Sequence, residues 1–250
     1  MADVEIKPQR YRDERPQAYF DEYHERVRSG EPEARVYEAV RLTTLAHALV
    51  TYRASSIGAE NVPATGPLIL APNHASFMDH FFAAAFIRRR IQFMAKSQLF
   101  RHGGVLTYIF SHGGVFPVRR GSQDEDAFIS SFAILRRGGA IGMYCEGTRS
   151  RNGRLADEAR PGIGRMALES GATVVPVAIL GSYQVRNWKR LRFPRVTVAY
   201  GEPIHFETVH EPSRERQQEV ATEILEQIRA LHSELSAGRA PGRRRRSIAP

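Results

Sequence analysis

In the stretch Asn73-His74-Ala75-Ser76-Phe77-Met78-Asp79, four residues separate a histidine from an aspartate. An uncharged imidazole can take a proton from a substrate hydroxyl if a second group fixes its tautomer and orientation. A carboxylate on the other ring nitrogen does this. A general base of this kind is worth about 10² to 10⁴ in rate. The spacing also carries a geometric condition. In one continuous helix, residues five apart lie roughly 140° round the axis, and the two side chains would not meet. His74 is therefore expected in a turn before a helix, with Asp79 in its first turns, and Pro72 argues against helix ahead of that turn.

Other chemistries lack their signatures. There is no Gly-x-Ser-x-Gly nucleophile elbow, no phosphate loop ending in Gly-Lys-Ser/Thr and no Gly-x-Gly-x-x-Gly after a strand. No His-Glu-x-x-His or paired-cysteine metal pattern occurs, so no metal or cofactor is expected. The single Cys145 excludes an intramolecular disulfide framework and reads as a buried, inert thiol.

The elements that must position His74 follow from the pattern around it. Strands are expected at 67–71, 91–95, 114–118, 140–145, 173–180 and 195–200. Helices are expected near 78–89, 97–111, 123–137 and 161–170, with Gly138-Gly139 and Gly171 as stops. This alternation predicts an α/β fold with a mixed, mostly parallel sheet covered by helices. Each chemical candidate then follows a strand: His74 and Asp79 after the first, Lys96 after the second, Arg119-Arg120 after the third, and Glu146-Gly147-Thr148-Arg149 after the fourth. Loops at one end of one sheet converge on a crevice. Arginine offers a planar fork suited to phosphate, lysine a point charge. The cations point to a phosphorylated alcohol.

The flanks are less specific. Residues 1–30 are polar and show no convincing period, reading as an extended arm or short helices, partly disordered. Pro32 opens a helix to Arg53 whose Leu42, Leu45, Ala46, Leu49 and Val50 form an apolar stripe. That stripe packs on the core or touches lipid. Residues 185–195 mix five cations with Trp188, Leu191 and Phe193, suiting a lipid headgroup layer, single-stranded nucleic acid or a solvated loop. A closing helix over 211–236 presents Val220, Ile224, Leu225, Ile228, Leu231 and Leu235, and a basic, disordered tail follows over 238–250.

At 250 residues, 42% hydrophobic and 25% charged, the composition is that of a globular protein with one substantial core. The net charge of +9 is concentrated: residues 54–200 hold 19 basic against 9 acidic side chains, while both flanks are nearly balanced. The region around His74 thus favours an anionic substrate or surface. No signal pattern and no run of roughly 18 apolar residues is present. The expectation is a protein in the cytosol or peripheral on the cytoplasmic side of the cell membrane.

Four blocks together resemble the 1-acylglycerol-3-phosphate acyltransferases, a family marked by His-x4-Asp. Asn73 to Asp79 is similar to its first block, Gly114-Val115-Phe116-Pro117-Val118-Arg119-Arg120-Gly121 to its second, Glu146-Gly147-Thr148-Arg149-Ser150 to its third, and Val174-Val175-Pro176-Val177-Ala178 to its fourth. The resemblance covers about residues 55–205. It implies that His74 is the base for an acceptor hydroxyl attacking the thioester of acyl-CoA or acyl-carrier-protein, with Asp79 orienting it. It implies that Lys96, Arg119 and Arg149 hold the acceptor phosphate. Arg120, Glu146, Gly147 and Thr148 would shape that pocket, and Phe116 and Pro176 would border the acyl or glycerol site. Where the family often has an acidic residue before the second-block arginine, this chain has Val118.

The resulting expectation divides the chain into an N-terminal arm and membrane-association helix (1–54), an acyltransferase domain (55–237) and the tail. Its partners would be a lysophospholipid, an acyl thioester and an anionic membrane surface, with acyl carrier protein as a candidate donor and no nucleic acid. Other acceptors, such as glycerol 3-phosphate, stay open, as does a non-enzymatic lipid- or RNA-binding protein.

Overall fold

The computed structural model describes residues 13–101, 104–119, 124–185 and 193–238. In chain order the elements are α1 (Ala18–Ser29), α2 (Ala34–Tyr52), β1 (Ser55–Ile57), β2 (Leu68–Pro72), α3 (Asp79–Ala85), β3 (Ile91–Lys96), α4 (Val105–His112), β4 (Val115–Val118), α5 (Glu125–Arg136), β5 (Ala140–Gly142), α6 (Gly162–Ser170), β6 (Thr173–Leu180), β7 (Thr197–Tyr200) and α7 (Arg214–Ser236). The strands form one sheet in the order β1-β7-β6-β2-β5-β3-β4. The five from β6 to β4 run parallel, and β7 turns back antiparallel to β6, with β1 parallel to β7. The expected mixed, mostly parallel sheet with helical cover is borne out.

β2 lies near the middle and is buried along its whole length, as its unbroken apolar run requires of a central parallel strand. Alternate residues feed opposite faces. Ile69 and Ala71 join α5, α6 and α7 through Ile134, Met166, Leu168 and Ile224. Leu68 and Leu70 join α2 and α3 through Ala48, Tyr52 and Phe82. In β5, Gly142 has no side chain because the Phe93 ring fills the space: a Cβ there would lie 1.9 Å from Phe93 Cε1.

Several expectations are corrected. Of the extended arm or short helices expected over 1–30, residues 18–29 form a helix that buries Phe20, Tyr23, His24 and Val27, an i, i+3, i+4, i+7 face the polar composition obscures. Phe20 and Tyr23 pack on Phe100, and Val27 enters the main core, so the arm does not stand apart from the domain at 54/55. The expected helix over 97–111 is a short 3₁₀ turn at Ser97–Leu99 followed by α4, whose start Gly104 delays. β1 went unforeseen because three residues are too few to show alternation. Residues 1–12, the 186–192 part of the basic-aromatic segment and the tail from 239 lie outside the described residues.

On the outer helix α2 the sequence left two placements of the apolar stripe open. Its core side is Tyr37, Ala48 and Tyr52; of the apolar stripe read from the sequence, Leu45 is half-buried and Leu42, Ala46, Leu49 and Val50 face outward. Leu42 is 54% exposed, Leu49 49% and Val50 82%. The neighbouring α4 likewise exposes Val105, Leu106 and Tyr108. No helix among the described residues is long and apolar enough to cross a membrane.

Candidate active site

Because β2, β3, β4, β5 and β6 are parallel, their C-terminal ends share one side of the sheet, and His74 sits two residues beyond the end of β2. Asn73 carries the ladder one residue past Pro72. Its backbone N–H donates to Val177 O, its Oδ1 accepts from Ile179 N–H at 2.6 Å, and its Nδ2 donates to Ile179 O. The chain is thus held rigidly up to the residue before the imidazole.

α3 begins at Asp79, so His74 lies in the turn ahead of it, as the five-residue spacing requires. His74 Nδ1 is 3.0 Å from Asp79 Oδ2. The same oxygen accepts the Ala75 and Ser76 N–H groups at 2.7 and 2.6 Å. The carboxylate is fully buried (0% exposed). With a carboxylate as acceptor, Nδ1 is the donor of this bond, and in a neutral imidazole Nε2 then holds the lone pair that a base needs. The neighbouring His80 imidazole is driven down to about 4 by burial, which keeps it neutral.

The loop after β5 grips the His74 peptide from both sides. Glu146 Oε1 accepts the His74 N–H at 2.8 Å, and the Ser150 N–H donates to His74 O at 2.7 Å. Burial pushes the Glu146 carboxyl up to about 6, against the bonds from the His74 and Ala156 backbones. Glu146 therefore contacts the base's own main chain. The Tyr144 ring lies flat on the imidazole, centroids 3.8 Å apart and planes 17° apart. Phe93 backs Tyr144 at 6.4 Å. Sequence reasoning gave no role to Asn73 or Tyr144. Asn73 stood in the first block, and Tyr144 lies two residues before Glu146, but stacking leaves no mark in a linear pattern.

The cations divide. Arg149 is exposed, and its guanidinium has no hydrogen-bond or ion-pair partner among the described residues. Its charge acts on Tyr144 and His80, which places it at the same corner. Gly147 and Thr148 beside it are also exposed. Lys96 closes β3, half-buried, in register with Val118. Arg119 is only 7% exposed, and its guanidinium donates to Gln17 Oε1 and to the carbonyls of Asp13 and Arg15. It is held by the N-terminal arm. Phe116, expected at the edge of the acyl or glycerol site, is instead fully buried and meets the His24 ring. Pro176 is buried within β6 opposite Ala71, its carbonyl accepting from Gly201 N–H. Arg120 lies outside the described residues. Cys145 is buried, its thiol pushed up to about 12.

The family model described as acyltransferase matches residues 53–180, from the end of α2 through β6. The chain belongs to the acyltransferase family. All four blocks read from the sequence fall inside the matched segment, and the resemblance is borne out. Among curated relatives, the chloroplastic 1-acyl-sn-glycerol-3-phosphate acyltransferase of Arabidopsis thaliana is 27% identical over 160 residues, 62% of this chain and 44% of that protein. A 1-acyl-sn-glycerol-3-phosphate acyltransferase of Borreliella burgdorferi is 30% identical over 52% of this chain and 51% of its own length. That of Bacillus subtilis is 24% identical over 70% of this chain and 86% of its own length. The chain thus spans about half the length of the first two. The crystal structure of the 1-acyl-sn-glycerophosphate acyltransferase PlsC from Thermotoga maritima superposes with a TM-score of 0.59 at 22% identity, covering 85% of this chain and 89% of that one. This likeness is one of fold.

Proposed function

We propose that the protein transfers a fatty acyl chain from a thioester to the free hydroxyl of 1-acylglycerol 3-phosphate, giving phosphatidate for phospholipid biosynthesis. The observation that carries this reading is the His74 imidazole, bonded through Nδ1 to the buried Asp79 carboxylate, at a corner where Arg149 offers an uncommitted guanidinium. The names of the relatives support the acceptor.

In this mechanism His74 Nε2 takes the proton of the acceptor hydroxyl as its oxygen attacks the thioester carbonyl. The C–O bond forms, the C–S bond breaks, and the imidazolium returns the proton to the leaving thiolate. Asp79 keeps the proton on Nδ1 and offsets the positive charge that develops on the ring. Arg149 and Lys96 hold the phosphate. No covalent acyl-enzyme and no cofactor take part; acyl-CoA or acyl carrier protein enters as donor substrate. The outward-facing Leu42, Leu49 and Val50, with Val105 and Leu106 nearby, would bring the protein to the cytoplasmic face of an anionic membrane, where its lipid substrate resides.

The test is thioester turnover by purified protein against a panel of lysolipids and glycerol 3-phosphate, with acyl-CoA and acyl carrier protein as donors. Lysophosphatidate should be the preferred acceptor. His74→Ala should lower the rate by about 10² to 10⁴ with little effect on folding. Retained turnover in that variant would sink the mechanism, and preference for glycerol 3-phosphate would reassign the acceptor.

A further inference from the structure

Two of the expected phosphate-binding elements, the ends of β3 and β4, are tied together by a segment outside the family-matched region. Asp13 and Arg15 form a close pair: Arg15 Nε donates to Asp13 Oδ1 at 2.9 Å and Nη2 to Oδ2 at 2.6 Å. The pair then reaches the turn that begins one residue after Lys96. The fully buried Ser97 hydroxyl donates to Asp13 Oδ2 at 2.6 Å, and Arg15 donates to the carbonyls of Ser97 at 2.8 Å and Phe100 at 2.6 Å. The Arg15 guanidinium holds the Asp13 carboxyl well below the usual carboxylate range, so the network stays charged across the working pH range.

The other end of the segment is held from β4. Arg119 grips the carbonyls of Asp13 and Arg15 and the side chain of Gln17, and its guanidinium lies 5.6 Å from the Phe20 ring centre. Its own backbone N–H is fixed by Asp124 Oδ2 at 2.6 Å, the residue that caps α5. A guanidinium with three acceptors already in place is poorly disposed to take up a phosphate as well. The assembly joins the turn after β3 to the end of β4 at the sheet edge through bonds from the Arg15 and Arg119 guanidinium groups and to the Asp13 carboxylate.

We propose that residues 13–17 form a positioning strap, in which Asp13 and Arg15 set the placement of Lys96 and so the grip on the acceptor's phosphate, while Arg119 anchors the strap. This rests on the acyl-transfer reading given above and extends it to a part of the chain that the family model does not cover. The strap predicts a specific kinetic signature. Loosening it should weaken acceptor binding and leave the donor, the base and the chemical step alone.

The experiment uses full-length protein carrying Asp13→Asn, Ser97→Ala, Lys96→Ala, and each of the first two combined with Lys96→Ala. Donor and acceptor KM, kcat and the thermal midpoint are measured for each. Asp13→Asn should raise the acceptor KM about tenfold, the equivalent of one lost charge-assisted contact. Donor KM and kcat should stay within about twofold, below the scale of any lost contact. Ser97→Ala, which deletes one hydroxyl, should shift the same parameter by less, and it carries the test if Asp13→Asn fails to fold. In the Lys96→Ala background either change should add almost nothing, because the strap acts through Lys96.

Multiplicative losses in the combined variants would overturn the proposal, as would equal losses toward donor and acceptor accompanied by a lower thermal midpoint. Turnover that is abolished by His74→Ala but unmoved by Asp13→Asn and Ser97→Ala would overturn the strap alone. A wild-type protein inactive on every acceptor would overturn the acyl-transfer reading and the strap's role with it.

Discussion

Helix α7 buries Val220, Ile224, Leu225 and Ile228 against the sheet and α6, whereas α2, with an apolar stripe at the same spacing, turns Leu42, Leu49 and Val50 outward. In sequence both carry apolar residues at helical spacing, although the face is sharper on α7. What differs is how each is fastened. α7 is held by hydrocarbon and packs so tightly that a Cβ on Gly164 of α6 would lie 1.9 Å from Gln217 O. α2 is held by fewer apolar side chains, Ala48 and Tyr52, together with polar contacts: the Tyr37 hydroxyl accepts the Ile91 N–H at 2.9 Å, and Arg41 donates to Ala85 O at 3.2 Å. Periodicity shows that a helix has an apolar face. It does not show whether protein or something else covers that face.

Mutagenesis can break this contrast or sharpen it. The largest effect is expected at α7, where Ile224→Ala should cost about 2–5 kcal/mol of unfolding free energy through lost burial and a residual cavity. Denaturant titration measures it; a loss under 1 kcal/mol would mean that the α7 seam is far looser than its geometry. Gly164→Ala should cost about 1–3 kcal/mol by forcing α6 away from the α7 backbone. The check is a lowered thermal midpoint that a shorter residue on α7 cannot restore, since the clash is with backbone. The smallest stability effect belongs to α2: Leu49→Gln with Val50→Gln should change unfolding free energy by about 0.5 kcal/mol or less. The same pair should reduce cosedimentation with phosphatidylglycerol vesicles, and full vesicle binding by that variant would remove α2 from the membrane contact.

The chemistry-bearing core of the molecule was the most legible part. A spacing of five positions from His74 to Asp79 excludes a shared helix face, and α3 indeed starts at Asp79. Parallel strands ending in polar loops sent His74, Lys96 and Glu146 to one side of the sheet. The role of Glu146 was not legible, because its contact with the His74 backbone spans 72 positions. Arg119 read as a phosphate ligand from its block, yet its guanidinium partners are Asp13, Arg15 and Gln17, over 100 residues earlier in the chain. α1 stayed hidden because its buried face mixes Phe20 and Val27 with Tyr23 and His24. The last is accommodated by Ser130 Oγ at 2.8 Å, a partner that composition cannot reveal.

One consequence reaches back to Gly142. With no side chain there, the Phe93 ring can lie across β5 and support Tyr144, and Tyr144 in turn sets the plane on which the imidazole rests. The stacking partner of the base is thus supported through three contacts that begin at a position contributing no atoms beyond the backbone. A methyl added at Gly142 would collide with the Phe93 ring, so the support beneath the base's stacking partner depends on a side chain that β5 leaves out.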